Sequence, residues 1–139
     1  MGEGILLGID HVQLTMPAGE DALDVARAFY EGVLGMEEVE KPEPLQERGG
    51  AWFEAGGDGF EGARFQVHLG VEPPSATRRH PAFVTDDLDA LRARCEMAGI
   101  AISDDVPLEG RRRFFVLDPF GNRIELLQWT AGRAQAGLS

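Results

Sequence analysis

Residues 9–35, IDHVQLTMPAGEDALDVARAFYEGVLG, and residues 78–100, RRHPAFVTDDLDALRARCEMAGI, decide the fold. Each is a short strand-like run that begins near a histidine, His11 or His80, and passes into a helix pattern. Between residues 9 and 16, Ile9, His11, Gln13 and Thr15 alternate with Asp10, Val12, Leu14 and Met16, the period of two expected of a strand with two unlike faces. Pro17 and Gly19 end the run. From Asp21 to Leu34, apolar side chains at Ala22, Val25, Ala26, Phe29 and Val33 recur at helical spacing, and Gly35 supplies a stop. In the second stretch Leu88, Leu91, Cys95 and Ala98 mark one helix face that stops at Gly99.

The segments downstream of the two stretches repeat as well. After the first come a short strand at EEVE, a Pro-rich loop (KPEPLQERGG), a strand at AWFEA, a Gly-rich turn (GGDGFEG) and a strand at ARFQVHLGV. After the second come AISDD, RRRFFVL, a turn at DPFGN, and RIELLQW. Asp118-Pro119 opening a turn that closes through Gly121-Asn122 is hairpin chemistry. The chain therefore reads as one βαβββ module written twice. Module one covers residues 8–71 and module two 80–129; a linker (72–79) joins them and a tail (130–139) ends the chain. The fold class is α+β, the whole reads as a single domain, and each sheet sets one face on its helix and the other toward a shared cleft.

Strand parity then sorts the polar residues. Val12 and Leu14 face the helix, so His11 faces away. Phe65, Val67 and Leu69 face the helix, which leaves His68 and Gln66 on the opposite face. Ile124 and Leu126 do the same for Glu125. Matching the modules pairs His11 with His80, and His68 with Glu125, so an imidazole or carboxylate stands at each of four equivalent points. Those are the usual ligands of a divalent transition metal.

Composition limits the rest. The 139 residues are 43% apolar and 27% charged, ordinary for a globular protein. A net charge of −11 argues against a nucleic-acid partner, which would want a basic stripe. The single cysteine, Cys95, allows no intrachain disulfide and suits a reducing compartment. No stretch approaches the roughly 20 apolar residues of a membrane span, and the first residues lack the basic start of a signal peptide. The expectation is a cytoplasmic protein that meets neither membrane nor nucleic acid.

The motifs IDHVQLTM, ARAFYEGVLGM, HPAFVTDDLDALRARCEMAGI and FFVLDPFGNRIELLQ cover the chain from about residue 8 to 129. Together they make it similar to the vicinal oxygen chelate superfamily, which includes glyoxalase I, bleomycin-resistance proteins, fosfomycin-resistance proteins and extradiol dioxygenases. The resemblance implies paired βαβββ modules forming an open, barrel-like metal-binding cleft, often completed across a homodimer. It implies His11, His68, His80 and Glu125 as metal ligands. His68 stands where glyoxalase I carries a glutamate and methylmalonyl-CoA epimerase a glutamine. Three imidazoles and a carboxylate leave two positions open on a six-coordinate ion, room for a substrate that chelates through adjacent oxygens. Nickel, cobalt, zinc, manganese and iron all suit such ligands.

The expected activity is metal-dependent proton transfer of the glyoxalase kind, a lyase or isomerase reaction on a small molecule, with Glu125 as ligand and base. Gln66 and Arg113 are the expected substrate contacts. Two alternatives stand beside it: a metal-free protein that sequesters an antibiotic, as bleomycin-resistance proteins do, and a ring-cleaving dioxygenase. Other side chains have simpler readings. Asp86, Asp87 and Asp89 precede a helix and suit capping. Cys95 and Tyr30 lie on apolar helix faces and suit packing. Trp52, Phe53, Phe114 and Phe115 suit either an apolar cleft wall or the core. Arg111, Arg112 and Arg113 read either as solvated charges or as an anion contact.

Overall fold

The computed structural model describes residue 4 and residues 9–56, 64–74 and 79–130. The chain divides into two compact units, Gly4–Ser75 and Ala76–Ser139, the latter with Met1–Glu3. The turn expected at residues 56–62, residues 75–78 of the linker and the tail from 131 onward lie mostly or wholly outside the described residues. Among the described residues no helix is long and apolar enough to cross a membrane.

The first unit runs β1 (His11–Met16), α1 (Glu20–Tyr30), β2 (Glu37–Val39), β3 (Ala51–Gly56) and β4 (Arg64–Val71). Its four-stranded mixed sheet has the order β1-β4-β3-β2, with β1 parallel to β4 and the other pairs antiparallel. The second unit repeats this with β5 (Ala82–Val84), α2 (Leu88–Met97), β6 (Ile102–Ser103), β7 (Arg111–Leu117) and β8 (Arg123–Trp129). Its sheet has the order β5-β8-β7-β6, again parallel at β5–β8 and antiparallel elsewhere. The fold is thus α+β, two mixed four-stranded sheets of identical topology. The strands belong to two separate sheets and not to one closed barrel.

Parity places each core as the sequence expects. In the first unit Phe53, Val67 and Leu69 are buried on the face that meets Ala26, Phe29 and Tyr30 of α1. Tyr30 stacks on Phe53 at 5.2 Å and meets Phe29 edge-on at 5.0 Å, so the only tyrosine is a packing residue. Arg27 of α1 reaches Glu38 of β2 at 2.7 Å, and this partner holds the guanidinium pKa above its ordinary value. In the second unit Phe114, Val116, Ile124 and Leu126 are buried together with Leu88 and Cys95 of α2. Burial pushes the Cys95 thiol pKa up, which keeps it protonated and inert.

The first helix departs from its expected end. The periodicity extends to Leu34, but α1 stops at Tyr30. Beyond it, Glu31, Val33 and Gly35 still bond four positions back, but Gly32 and Leu34 share the carbonyls of Arg27 and Phe29, five back, and Met36 bonds Tyr30, six back. This widened turn lets Val33 and Met36 reach the interior, both only 6% exposed, while Val25 is left at the surface. The Pro-rich loop also gains structure. Glu43–Arg48 coils into a 3-10 turn, helped by a proline early in the turn whose φ is already helical.

Two turns behave as the sequence implies. Asp87 caps α2 by accepting from the Ala90 amide at 3.0 Å. Asp118, 4% exposed, accepts from the Phe120 and Asn122 amides at 2.9 and 2.8 Å and from the Asn122 side chain at 2.7 Å. It thereby ties the β7–β8 turn, with Gly121 at φ 87°. Replacing Asp118 by alanine strands these donors in a largely buried turn, where one unmet donor costs about 1–3 kcal/mol. Asp118→Ala should lower unfolding stability by about 2 kcal/mol in a urea titration, with Asp118→Asn losing less because its amide oxygen can still accept.

Candidate functional site

The polar residues singled out by parity fall into two groups, one on each sheet, both on the face opposite the helix. In the first unit the β1–β4 register sets His11 opposite Gln66 and Gln13 opposite His68. The β3–β4 register sets Trp52 opposite His68 and Glu54 opposite Gln66. Partners across a ladder share a face, so His11, Gln66, His68, Trp52 and Glu54 form one cluster.

His68 is the centre of that cluster. Its ring lies between two others, stacked on the Trp52 indole at 3.6 Å and 2° and on the His11 imidazole at 3.9 Å and 16°. Only 6% of His68 is exposed. Burial, followed by the neighbouring His11, holds the His68 pKa below the ordinary imidazole value, so near neutral pH the ring is uncharged.

Hydrogen bonds fix the His68 tautomer. The Gln66 side-chain amide donates to Glu54 Oε1 at 3.1 Å, since a carboxylate oxygen accepts and does not donate. That orientation turns Gln66 Oε1 toward His68 Nε2 at 2.7 Å, so Nε2 carries the proton and Nδ1 bears the lone pair. Arg64 closes the chain by donating to Glu54 Oε2 at 3.2 Å. His11 Nδ1 stands 2.9 Å from Asp10 Oδ2. Each imidazole thus has one nitrogen anchored by an oxygen, as is usual around a protein-bound metal.

In the second unit Glu125 is 8% exposed and lies opposite Phe115 of β7 and Ala82 of β5. His80 Nε2 approaches Glu125 Oε1 at 3.0 Å, and Arg113 Nη1 approaches Oε2 at 3.5 Å. His80 also meets the Phe115 ring edge-on at 5.0 Å. Two ligands at right angles on an ion with bonds near 2.1 Å stand about 3 Å apart. The His80–Glu125 spacing fits that. Among the described residues no three His, Cys, Asp or Glu side chains gather as a metal cluster.

The expected site residues are therefore placed as follows. His11 and His68 touch, with Gln66 anchoring His68; His80, Glu125 and Arg113 touch in the second unit. Trp52 reads in the sequence only as a wall or core residue, and Glu54 carries no expectation there. Both share the parity of His68 across one hairpin, and that is the signal for them. Arg112, grouped with its neighbours in sequence, points to the other face and pairs with Asp89 of α2.

The stack makes a prediction. Trp52 covers His68, and burial is the leading cause of its lowered pKa. In Trp52→Ala, the NMR titration of metal-free protein should move the His68 midpoint upward, toward the ordinary imidazole value. In wild type, a lowered folded pKa means the unfolded chain binds the proton more readily. The stability held by neutral His68 should therefore fall as pH drops from the ordinary imidazole value toward the lowered one, and this loss should shrink in Trp52→Ala.

The comparisons with known proteins agree with this fold. No curated protein sequence matches the chain. A protein assigned to the glyoxalase family from Bacillus anthracis is 40% identical, with a TM-score of 0.78 over 93% of this chain and 100% of that one. The fosfomycin resistance protein FosX from Listeria monocytogenes, solved with Mn(II) and sulfate ion, is 19% identical, with a TM-score of 0.65 over 91% and 94%. The antibiotic binding protein TnmS3 from Streptomyces sp. CB03234 is 23% identical, with a TM-score of 0.64 over 92% and 100%. The two lower identities speak for shared fold alone. Residues 8–126 match one family model, and the chain belongs to the Glyoxalase/Bleomycin resistance protein/Dioxygenase superfamily.

Proposed function

We propose that this chain is a divalent-metal-dependent enzyme acting on a small substrate with two adjacent oxygens, and that its reaction is a glyoxalase-like proton transfer of the lyase or isomerase type. The ligands are His11 and His68 of the first module with His80 and Glu125 of the second, in one cytoplasmic domain that works as a homodimer. The observation that carries this reading is that His80 Nε2 and Glu125 Oε1, two metal-type ligand atoms, meet at 3.0 Å in a hydrogen bond, a separation that two ligands on one ion would also have. The His68 tautomer anchored by Gln66 supports it further.

A bound nickel, cobalt, zinc, manganese or iron ion would supply Lewis-acid polarisation of the substrate oxygens. Manganese has precedent in the same fold, since FosX was solved with Mn(II). The chain's own residues do the rest. Glu125 is the residue that would carry the proton from the hydroxyl-bearing carbon to the adjacent carbonyl carbon, while the hydroxyl proton passes to the other oxygen. Its two oxygens are already oriented, one by His80 and one by Arg113. Gln66 holds His68 in the tautomer that keeps the lone pair on Nδ1.

A second reading is a metal-free protein that binds and sequesters a small molecule. It is favoured by the His11–His68 contact, because two imidazoles stacked at 3.9 Å make a flat platform that could equally hold a planar ligand. Ring-cleaving oxygen chemistry is a lesser variant of the enzyme reading, using the same ligands.

Elemental analysis of untagged protein separates them. The enzyme reading expects about one divalent ion per chain, and it expects His11→Ala and Glu125→Ala each to weaken metal binding by about tenfold or more. Wild type that is empty, and that takes up none of the five metals, overturns it in favour of sequestration.

A further inference from the structure

The face of the second sheet opposite α2 carries positive charge that the described residues of the second module only partly neutralise. Alternation along β7 and β8 puts Arg111, Arg113 and Arg123 on the face of Glu125, while Arg112 faces α2 and pairs with Asp89. The whole chain has a net charge of −11, so three arginines on one face against one nearby buried carboxylate run against the general balance.

Arg113 is partly engaged. It reaches Glu125 at 3.5 Å, the Val106 carbonyl at 3.1 Å and, more loosely, the half-exposed Asp105 at 3.9 Å. Arg111 and Arg123 have neither an ion pair nor a hydrogen bond among the described residues. Aromatic rings hold them instead. Arg111 lies over Trp129 at 4.8 Å, and Arg123 lies over Phe115 at 4.0 Å, a ring that Arg113 also approaches at 5.3 Å. The Nε atom of each of the three is buried without a hydrogen-bond partner among the described residues.

The energetics of this arrangement are lopsided. A cation over a ring gains about 0.5–2 kcal/mol. A buried donor left unmet costs about 1–3 kcal/mol, and more when it belongs to a charged group. Two guanidinium groups around one phenyl ring also repel each other. The rings orient the three side chains but do not compensate their charge. Planar forks fixed in orientation on one face are suited to an oxyanion, which accepts from several N–H groups at once.

We propose that Arg111, Arg113 and Arg123 form an oxyanion-binding face, and that the substrate carries a carboxylate or phosphate-type group which this face holds. As a statement about substrate, this rests on the enzyme reading above; as a binding site, it stands without any metal. Arg113 bridges the two roles, since it touches both Glu125 and the ring that Arg123 covers. Carboxylate and phosphate share the chemistry that three guanidinium groups recognise, and separate titrations tell them apart.

The test uses chelator-treated full-length protein at low ionic strength, titrated with inorganic phosphate and, separately, with acetate. Calorimetry reads binding, and indole fluorescence provides a second signal because Trp129 packs against Arg111. At least one anion should bind in the millimolar range. Arg111→Gln and Arg123→Gln should each weaken it by about tenfold, and Arg123→Lys should keep more affinity than Arg123→Gln. Arg112→Gln removes the same charge from the opposite face of the same strand and should change affinity by less than about twofold.

Three results would overturn the proposal: no binding of either anion, equal losses in Arg112→Gln and Arg123→Gln, or binding that appears only after metal is added. The first removes the site, the second reduces it to diffuse attraction, and the third makes the anion a metal ligand. Metal content measured on the same samples keeps the two readings apart. If wild type takes up no metal but loses phosphate on Arg123→Gln, the anion face survives and the enzyme reading fails.

Discussion

Parallel pairing of the first and last strand of each module is the constraint on which the rest depends. In the first module it sets Gln13 opposite His68, and in the second it sets Ala82 opposite Glu125. Gln13 lies two residues after His11, and Ala82 two residues after His80. The registers are therefore the same, and His68 and Glu125 occupy equivalent points of two equivalent sheets. A slip of one residue in either ladder would turn the whole strand over, moving the imidazole or carboxylate into the apolar core. The buried rows Val67–Leu69 and Ile124–Leu126 make that slip costly, so hydrophobic burial on one face fixes the positions of the polar groups on the other.

Built on the same frame, the two faces have diverged in chemistry. On the first sheet, charge is compensated locally: Arg64 meets Glu54, Glu54 meets Gln66, and Gln66 meets a His68 that burial keeps neutral. The result is a flat stack of three rings with a neutral His68 at its centre. On the second sheet the aromatic residues carry cations, with Phe115 taking two guanidinium groups and Trp129 one. Duplication supplied the same parity twice, and substitution at matching positions made one face a stack of imidazole and indole rings and the other a cationic surface around a single carboxylate.

Much of this could be read from the sequence because period-two alternation is a local property. Val12 and Leu14 announce which way His11 points, and Ile124 and Leu126 do so for Glu125, with no knowledge of any partner strand. The Asp118 turn and the Asp87 cap were equally legible, since each acts within four residues of itself. The end of α1 was not. Val33 continues the helical period, but the turn after Tyr30 widens so that Val33 and Met36 both reach the interior, and that choice depends on packing that periodicity does not contain. The Trp52–His68 stack was hidden for a similar reason. Parity puts both on one face, but only the β3–β4 register says that they are direct neighbours.

The arginines show how far parity reaches and where contacts must take over. RRR reads in sequence as a block of charge, and its members look alike. Alternation separates Arg112 from Arg111 and Arg113 at once, because adjacent residues on a strand face opposite ways. It cannot say which of them finds a carboxylate. That is decided by what stands across each face: Asp89 on the helix side for Arg112, Glu125 and the Asp105–Val106 loop for Arg113, and, among the described residues, only the Trp129 ring for Arg111. An ion pair between exposed partners needs no ligand to explain it. Guanidinium groups held on aromatic rings, with buried Nε atoms unmet, are oriented without being neutralised, and in a chain of net charge −11 that points outward to a ligand bearing the missing negative charge.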